Sequence, residues 1–164
     1  MPAVSYTRQK VKMMGQASAI IRIATPDDAD SLAVLNNEFN DSNIPASEIA
    51  ASLVGANTET TVVAEVEGSL VGFACMQIMR SWCYRGSWAT LVELYVQPAS
   101  RRHGLGRQLV ECCEQIAREK GITEMGLLTG SSNTAGQALY TSMGYQVEEK
   151  LSLNKSLSES PSTG

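Results

Sequence analysis

The chain has 164 residues, of which 43% are hydrophobic and 18% charged, and this length suits one domain built around one core. Its formal net charge of −4 argues against the broad basic surface of a general nucleic-acid-binding protein. No apolar run approaches the roughly 20 residues of a membrane-spanning helix, and the N-terminal residues lack the apolar segment of a secretory signal. We therefore expect a cytoplasmic protein without membrane or nucleic-acid partners.

The expected organisation is a single domain between two loose ends. Residues 1–18 are interpreted as a flexible N-terminal extension, residues 19–153 as the folded domain, and the Ser-rich residues 154–164 as a disordered tail. The four cysteines form no CxxC pair, and the chain has a single histidine, His103. This composition predicts no metal site. The cysteines are interpreted as reduced, small apolar residues: Cys75, Cys83, Cys112 and Cys113.

The first predicted elements are a strand and two helices. A β-branched run over residues 19–25 predicts the strand. Thr25, Pro26 and Asp28 are typical of a helix start, and apolar residues continue at helical spacing to Phe39. A second helix is predicted over residues 45–55, with Gly55 as its end.

Three strands are predicted next. Residues 60–66 and 69–78 are β-rich runs joined at Glu67-Gly68, which predicts an antiparallel hairpin. After a loop at 81–87, residues 88–96 predict a fourth strand.

The last third alternates helices and strands. Helical spacing runs from Leu105 to Lys120-Gly121. A strand is predicted at 122–129, a short helix at 134–144 and a final strand at 145–153. This order indicates an α/β fold with helices on both faces of a central mixed sheet. The fourth strand, third helix and fifth strand are expected to form a right-handed parallel crossover.

The loop between the fourth strand and the third helix gathers positive charge and glycine. Gly104 and Gly106 lack Cβ atoms, so main-chain N–H groups there can approach a ligand closely. The helix N-terminus adds unpaired N–H groups and a positive dipole end. Three arginines flank the glycines: Arg101, Arg102 and Arg107. The pattern favours a phosphate or pyrophosphate site over a glycine turn with solvated arginines.

Two common phosphate motifs do not fit this loop. The dinucleotide fingerprint fails because Leu109 occupies the place of its third glycine, and no Gly-Lys-Ser/Thr follows as in a P-loop. Residues 101–106, RRHGLG, fit instead the Q/R-x-x-G-x-G/A signature of the GCN5-related N-acetyltransferase (GNAT) family. Residues 92–98, VELYVQP, resemble that family's fourth strand, and residues 133–145, NTAGQALYTSMGY, resemble its later motif.

The resemblance extends over residues 20–153 and implies a GNAT fold, whose mixed sheet is mostly antiparallel. It also implies acetyl-CoA as the co-substrate, without a metal. Main-chain groups of Leu94, Tyr95 and Val96 would pair with the pantetheine arm, and Asn133 would contact the same molecule. Main-chain N–H groups of residues 102–107 would hold the pyrophosphate. The implied cradle comprises Arg101, Arg102, His103, Gly104, Leu105, Gly106 and Arg107.

Acetyl transfer to an amine requires a proton acceptor, a donor to the thioester carbonyl and an acid near the leaving thiolate. Tyr140 matches the family's tyrosine near the CoA sulfur and is the candidate acid; packing against the sheet is the alternative. Glu93 is the only carboxylate of the fourth strand and the candidate base. In the family the acidic base of this strand lies one or three positions earlier, at the places of Val92 and Thr90, so the resemblance implies that alternation turns Glu93 away unless a bulge re-aims it. A water relay, Glu38 or Asp41 stay open as substitutes.

The acceptor site is expected between residues 39–44 and the loop 81–87. Phe39, Asp41, Trp82 and Tyr84 are its candidate binding residues, although packing or a dimer contact would equally explain the aromatic ones. The function expected is acetyl-CoA-dependent N-acetylation of a primary amine on a small molecule or protein, by direct attack on the thioester. The alternative is a catalytically weak acyl-CoA-binding or regulatory module. Family resemblance also implies a possible homodimer.

Overall fold

The structure is a computed structural model that describes residues 8–13, 18–54, 58–83, 86–149 and 152–157. In those residues six strands form one sheet in the order in which they occur along the chain. The strands are β1 (Gln9–Val11), β2 (Ala19–Ile23), β3 (Glu59–Val66), β4 (Ser69–Arg80), β5 (Ser87–Val96) and β6 (Met125–Leu127). The first five pair antiparallel, and β5 pairs parallel with β6.

Four α-helices accompany the sheet in the described residues: α1 (Ala29–Asn40), α2 (Ala46–Val54), α3 (Leu105–Glu119) and α4 (Thr134–Ser142). Short 3-10 turns precede α1 and α3, at Pro26–Asp28 and Pro98–Ser100. Proline suits the start of each turn because its fixed φ is already helical. The expected α/β fold, with a mostly antiparallel sheet and helices on its two faces, is confirmed.

Strand alternation divides the core between the two faces of the sheet. On one face α3 packs on residues such as Val62, while the next residue, Val63, packs against α1 on the other. The α3 face is mostly apolar, whereas the residues of the α1 face change from apolar to polar along β3, β4 and β5. The largest buried side chains of the α3 face are Ile21, Met76, Leu105, Leu109 and Ile116. Those of the α1 face are Leu35, Val63, Phe73 and Tyr95.

A charged cluster fixes the entry to α1. Both terminal nitrogens of Arg22 donate to the carboxylate of Asp28, at 2.7 and 2.8 Å, and its Nε donates to Glu65 at 3.1 Å. Asp28 also accepts from the main-chain N–H of Thr25 at 2.8 Å, which completes a capping box. The hydrogen bonds from Arg22 hold the pKa of the largely buried Asp28 carboxyl below its usual range.

The β3–β4 hairpin forms where the sequence predicts it. Glu67 and Gly68 both have positive φ, 50° and 81°, which is the backbone of the two-residue turn that best matches strand twist. Strand β1 was not predicted and lies within the expected flexible extension; Lys10 pairs with Ile20 of β2. Gly55, the predicted end of the second helix, lies outside the described residues.

The predicted final strand at 145–153 is wrong for the residues that the structure describes. Residues 145–149 and 152–153 form no strand, and Val147 and Leu153 are 95% and 90% exposed. The neighbouring edge strand β6 is only three residues long, so a strand laid there would gain few hydrogen bonds and little burial to offset its conformational entropy. The boundary at residue 153 stays a prediction.

Candidate active site

The sheet opens on one side of β5 near its middle. The parallel ladder between β5 and β6 ends at the pair Leu91 and Leu127, while β5 continues five residues further to Val96. Val92 is an extra residue in β5, because Cys75 of β4 faces Glu93 but the next residue, Met76, faces Leu91. This β-bulge lies at the end of the ladder, and β-bulges commonly re-aim side chains there.

The bulge reverses which residues of β5 face each side. Before it, Ala89 and Leu91 contribute to the α3 face; after it, Leu94 and Val96 pack on that face. Tyr95 therefore lies on the α1 face, and Glu93 shares that face with Cys75, its cross-strand partner. From the sequence, Glu93 could reach this side of the sheet only through a bulge. The bulge at Val92 turns its carboxylate to the face on which α1 and α2 pack.

The same reversal decides which main-chain groups of β5 point away from β4. The N–H of Gln97 donates to the carbonyl of Val71 in β4 at 2.9 Å, and alternate residues of a strand direct their main-chain groups to the same side. The groups of Tyr95 accordingly point to β4, and those of Leu94 and Val96 point to the opening beyond β6. Two of the three predicted pantetheine residues face the opening, whereas the main chain of Tyr95 does not.

The predicted phosphate cradle is the turn that leads into α3. Gly104 begins the helix with φ 85°, and Arg102 has φ 68° without being glycine, a strained conformation that clusters at functional sites. The first hydrogen bond of α3 runs from the N–H of Gln108 to the carbonyl of Gly104. The N–H groups of residues 105–107 therefore precede that first helical bond, as in helix-based anion sites.

Gly106 leaves room between the cradle and the opening. A Cβ added there would meet Leu139 of α4 at 3.5 Å and Leu94 of β5 at 3.9 Å, both ordinary contacts. The protein itself therefore does not require glycine at this position. The position lies between the α3 N-terminus and Leu94 of β5, where the absence of a side chain is compatible with a close approach of a ligand.

Two of the three arginines of the predicted cradle make hydrogen bonds to other residues of the protein. Arg101 donates through Nε to the carbonyl of Val96 at 2.8 Å and lies 5.9 Å from the ring centroid of Tyr95. Arg107 donates to Ser142 of α4 at 2.7 Å. Their positive charge stays beside the turn, but each guanidinium already uses part of its hydrogen-bonding capacity within the protein. His103 places Nδ1 3.3 Å from the carbonyl of Ser100, which supports its interpretation as a loop residue.

The α1 face carries two rows of polar side chains beyond the apolar cluster under α1. One row runs across three strands as Thr61, Cys75 and Glu93, and the next as Glu59, Gln77 and Thr90. Thr61 lies 3.5 Å from the sulfur of Cys75, and Gln77 donates to Glu59 at 3.2 Å. Two carboxylates on this floor favour a cationic ligand. Burial raises the pKa of the Glu93 carboxyl, which suits a general base.

Tyr140 lies in α4 and packs against the α3 face of the core. Its ring is 5.9 Å from that of Tyr145 in an edge-to-face contact. Burial, and after it the negative charge of Glu93, raises the pKa of the Tyr140 phenol. The hydroxyl therefore stays protonated at neutral pH and is able to donate a proton, as the acid role requires.

Asn133 has a structural task that the sequence analysis missed. Its side-chain oxygen accepts from the N–H of Gly136 at 3.0 Å, and its amide nitrogen donates to Thr129 at 3.1 Å. Asn133 is thus the N-cap of α4, a position that favours asparagine. The sequence signal for this cap was the asparagine three residues before Gly136, at the start of the predicted helix. Its predicted contact with acetyl-CoA stays a proposal.

The predicted acceptor residues are placed differently from one another. Phe39 stacks on Tyr95 with centroids 5.0 Å apart and meets Phe73 edge-on, so most of its contacts are packing contacts. Asp41 ends α1 in a left-handed conformation. Trp82 is 96% exposed in the loop after β4. Tyr84 lies outside the described residues.

The burial and grouping of the other titratable residues bear on whether the site has the ligands for a metal ion or a cysteine nucleophile. In the described residues no group of three or more His, Cys, Asp or Glu side chains is arranged to hold a metal ion. Burial raises the pKa of Cys75 to about 12 and that of Cys112 to about 11, so neither thiol is an activated nucleophile. Within the same part of the chain, no helix has the length and apolar character to cross a bilayer.

Comparison with known proteins now identifies the class. The sequence profile of the acetyltransferase (GNAT) family matches residues 27–145, which contain the bulged strand, the cradle and the helix that bears Tyr140. The chain belongs to this family, and it is an N-acetyltransferase by that membership.

Two curated relatives show how far the similarity extends. Aminoglycoside N(6')-acetyltransferase type 1 of Klebsiella aerogenes is 36% identical over 104 residues, which are 60% of this chain and 68% of that protein. Human N-acetyltransferase 8 is 32% identical over 100 residues, which are 61% of this chain and 44% of that protein. The chain thus spans less than half the length of the human relative.

Solved structures share the fold. The aminoglycoside N-acetyltransferase AAC(6')-Iy, solved in complex with CoA, has a TM-score of 0.74 at 20% identity and covers 87% of this chain and 97% of its own. An aminoglycoside acetyltransferase from an uncultured soil metagenomic sample, solved in complex with sisomicin, has a TM-score of 0.75 at 20% identity, with 86% and 97% coverage. At this identity the likeness concerns the fold alone.

Proposed function

We propose that the protein transfers the acetyl group of acetyl-CoA to a primary amine of a small cationic molecule, the chemistry found in aminoglycosides. The observation that carries the proposal is the bulge at Val92. It turns the Glu93 carboxylate to the α1 face, the proposed acceptor side, and in the same strand it directs the main chain of Leu94 and Val96 to the opening, the proposed donor side. Donor and acceptor would thus meet across the end of β5.

The donor side is proposed to bind chiefly through the main chain. The N–H groups that begin α3, at residues 105–107, would hold the pyrophosphate, with positive charge from the nearby arginines. Leu94 and Val96 would pair with the pantetheine arm, and a main-chain N–H on β5 would donate to the thioester carbonyl as its negative charge grows. Acetyl-CoA supplies the reactive thioester when it is bound.

Two side chains are proposed to move protons. Glu93, directly or through a water molecule, would accept the proton of the attacking amine as the new C–N bond forms. Tyr140 would donate its proton to the thiolate as the C–S bond breaks. The two groups lie on opposite faces of β5, and the free edge between them is where the carbonyl carbon would sit. The raised pKa of each keeps the acid protonated and brings the base nearer to neutrality.

The proposed preference for a cationic acceptor rests on the negative charge of two carboxylates. Glu93 and Glu59 lie on one polar floor, and several relatives are named for aminoglycosides. The test is release of free CoA from acetyl-CoA with aminoglycosides, polyamines, amino acids and peptides as acceptors. We expect turnover with the polycationic small molecules. CoA binding without turnover on any acceptor would favour a binding module, and absence of CoA binding would refute both functions.

A further inference from the structure

Glu38 receives an unusual share of the hydrogen bonds at the end of β5. It lies in the last turn of α1 and is 57 residues from Tyr95 in the chain. The Tyr95 hydroxyl donates to its Oε2 at 3.0 Å, and the amide of Gln97 donates to both of its oxygens at 3.1 Å. Both oxygens of Glu38 therefore accept hydrogen bonds from residues at the end of β5.

The partners of Glu38 lie on both sides of a residue that faces the donor opening. Tyr95 and Gln97 flank Val96, whose main chain points toward the opening beyond β6. The ring of Tyr95 stacks on Phe39, and Arg101 approaches that ring while donating to the Val96 carbonyl at 2.8 Å. A single carboxylate thus fixes the side chains that bracket the pantetheine end of the strand.

The same contacts continue into the cradle. The carbonyl of Gln97 accepts from the N–H of Ser100 at 2.9 Å, which closes the 3-10 turn leading to Arg102 and Gly104. On the other side of Glu38, the segment expected to line the acceptor site begins at the next residue, Phe39, and continues past the left-handed Asp41 that ends α1. Glu38 therefore joins the start of that segment to the start of the donor cradle.

We propose that Glu38 is a positioning residue for the acetyl donor. It holds the exit of β5 and the first turn of the cradle in place against α1, so that the main chain of Val96 and the N-terminus of α3 together fit one acetyl-CoA molecule. This inference rests on the proposed function, because it presumes that acetyl-CoA binds there.

The test is calorimetric titration of CoA into the wild type and four variants. We expect Glu38→Ala to weaken CoA binding about tenfold and Glu38→Gln to lie closer to the wild type, since an amide oxygen still accepts from Tyr95. Tyr95→Phe, which keeps the stacked ring and removes only the hydroxyl, should weaken binding in the same direction and covers the case in which Glu38→Ala fails to fold. Glu48→Ala removes one exposed charge on α2 and should bind as the wild type does.

Turnover gives the second readout. In Glu38→Ala the KM for acetyl-CoA should rise while the shape of the pH–rate profile stays the same. CoA affinity within twofold of the wild type in both Glu38→Ala and Tyr95→Phe would overturn the positioning role, and so would loss of the acidic limb of the pH profile in Glu38→Ala. Failure of the wild type to bind CoA would refute the proposed function instead. A double-mutant cycle of Glu38→Ala and Tyr95→Phe on unfolding free energy would still measure the contact.

Discussion

Glu93 lies directly opposite Cys75 across the β4–β5 ladder, one residue past the bulge at Val92. If β5 alternated regularly through Val92, Glu93 would lie on the α3 face, in the apolar core beside Leu91. Because the bulge takes up Val92, the carboxylate lies next to the half-buried Cys75 thiol on the α1 face. The position of the candidate base therefore depends on the bulge.

Replacement of the candidate base should remove the acidic limb of the rate profile. Glu93 must be ionised to accept a proton, and its pKa is raised by burial, so kcat/KM should rise with pH through a value above that of an ordinary glutamate. Glu93→Gln should lower kcat/KM about 10²-fold and flatten that limb. The measurement is kcat/KM between pH 5 and 9. The control is Glu59→Gln, which removes another carboxylate from the same face and should keep the acidic limb of the profile. An unchanged acidic limb in Glu93→Gln would rule out Glu93 as the base.

Loss of the Tyr140 hydroxyl should slow the chemical step without weakening donor binding. Tyr140→Phe keeps the ring contacts and removes the acid, so we expect kcat to fall about 10²-fold while the affinity for CoA stays within twofold. Steady-state kinetics and calorimetry separate the two effects. Tyr145→Phe, which alters the ring's neighbour in the same cluster, is the matched control. Full turnover in Tyr140→Phe would assign Tyr140 to packing.

The two cradle glycines should respond differently to alanine. Gly106 is helical, and its added Cβ makes only ordinary contacts, so Gly106→Ala should leave stability unchanged or raise it by about 0.5 kcal/mol while weakening CoA binding. Gly104 has φ 85°, so Gly104→Ala should cost about 1 kcal/mol of unfolding free energy. Urea denaturation and CoA titration measure both. A Gly106→Ala protein that binds CoA normally would show that the missing side chain serves something else.

The Arg22–Asp28 pair should make stability depend on acid. Because the pKa of Asp28 is lower in the folded chain than in the unfolded one, its contribution is complete above about pH 4. That contribution is lost as the pH falls through the folded value. Asp28→Asn should cost about 2–4 kcal/mol at pH 7, since it leaves a partly buried guanidinium without its closest partner. The difference in unfolding free energy between the wild type and Asp28→Asn, measured by urea unfolding, should be smaller at pH 3 than at pH 7. An equal difference at both pH values would contradict a stabilising role for the ionised Asp28.

The elements that the sequence predicts well are those with local signals. Two positive-φ residues at Glu67-Gly68 define the hairpin, and Gly104 with the apolar spacing after it defines α3. The turn and helix start at the proposed cradle were predictable for the same reason, because the glycines and the helix start are neighbours in the chain; its binding role stays a prediction. The family motifs then extended the prediction to the donor side of the site.

The features that the sequence does not reveal depend on distant partners. The bulge at Val92 is defined by the pairing of β5 with β4, and the Glu38–Tyr95 contact joins residues 57 positions apart. Strand β1 exists through its pairing with β2, and the strand predicted at 145–153 is absent from the described residues 145–149 and 152–153. The dimer and the cytoplasmic location stay predictions.

A donor site made mainly of main-chain groups, as proposed, would have a practical consequence. The N–H groups of residues 105–107 come before the first helical hydrogen bond of α3, so in the free protein no hydrogen bond within the helix slows their exchange. A bound pyrophosphate would occupy them directly. Slowed amide hydrogen exchange at three consecutive residues would therefore report occupancy of this site, with no label, no acceptor and no turnover required.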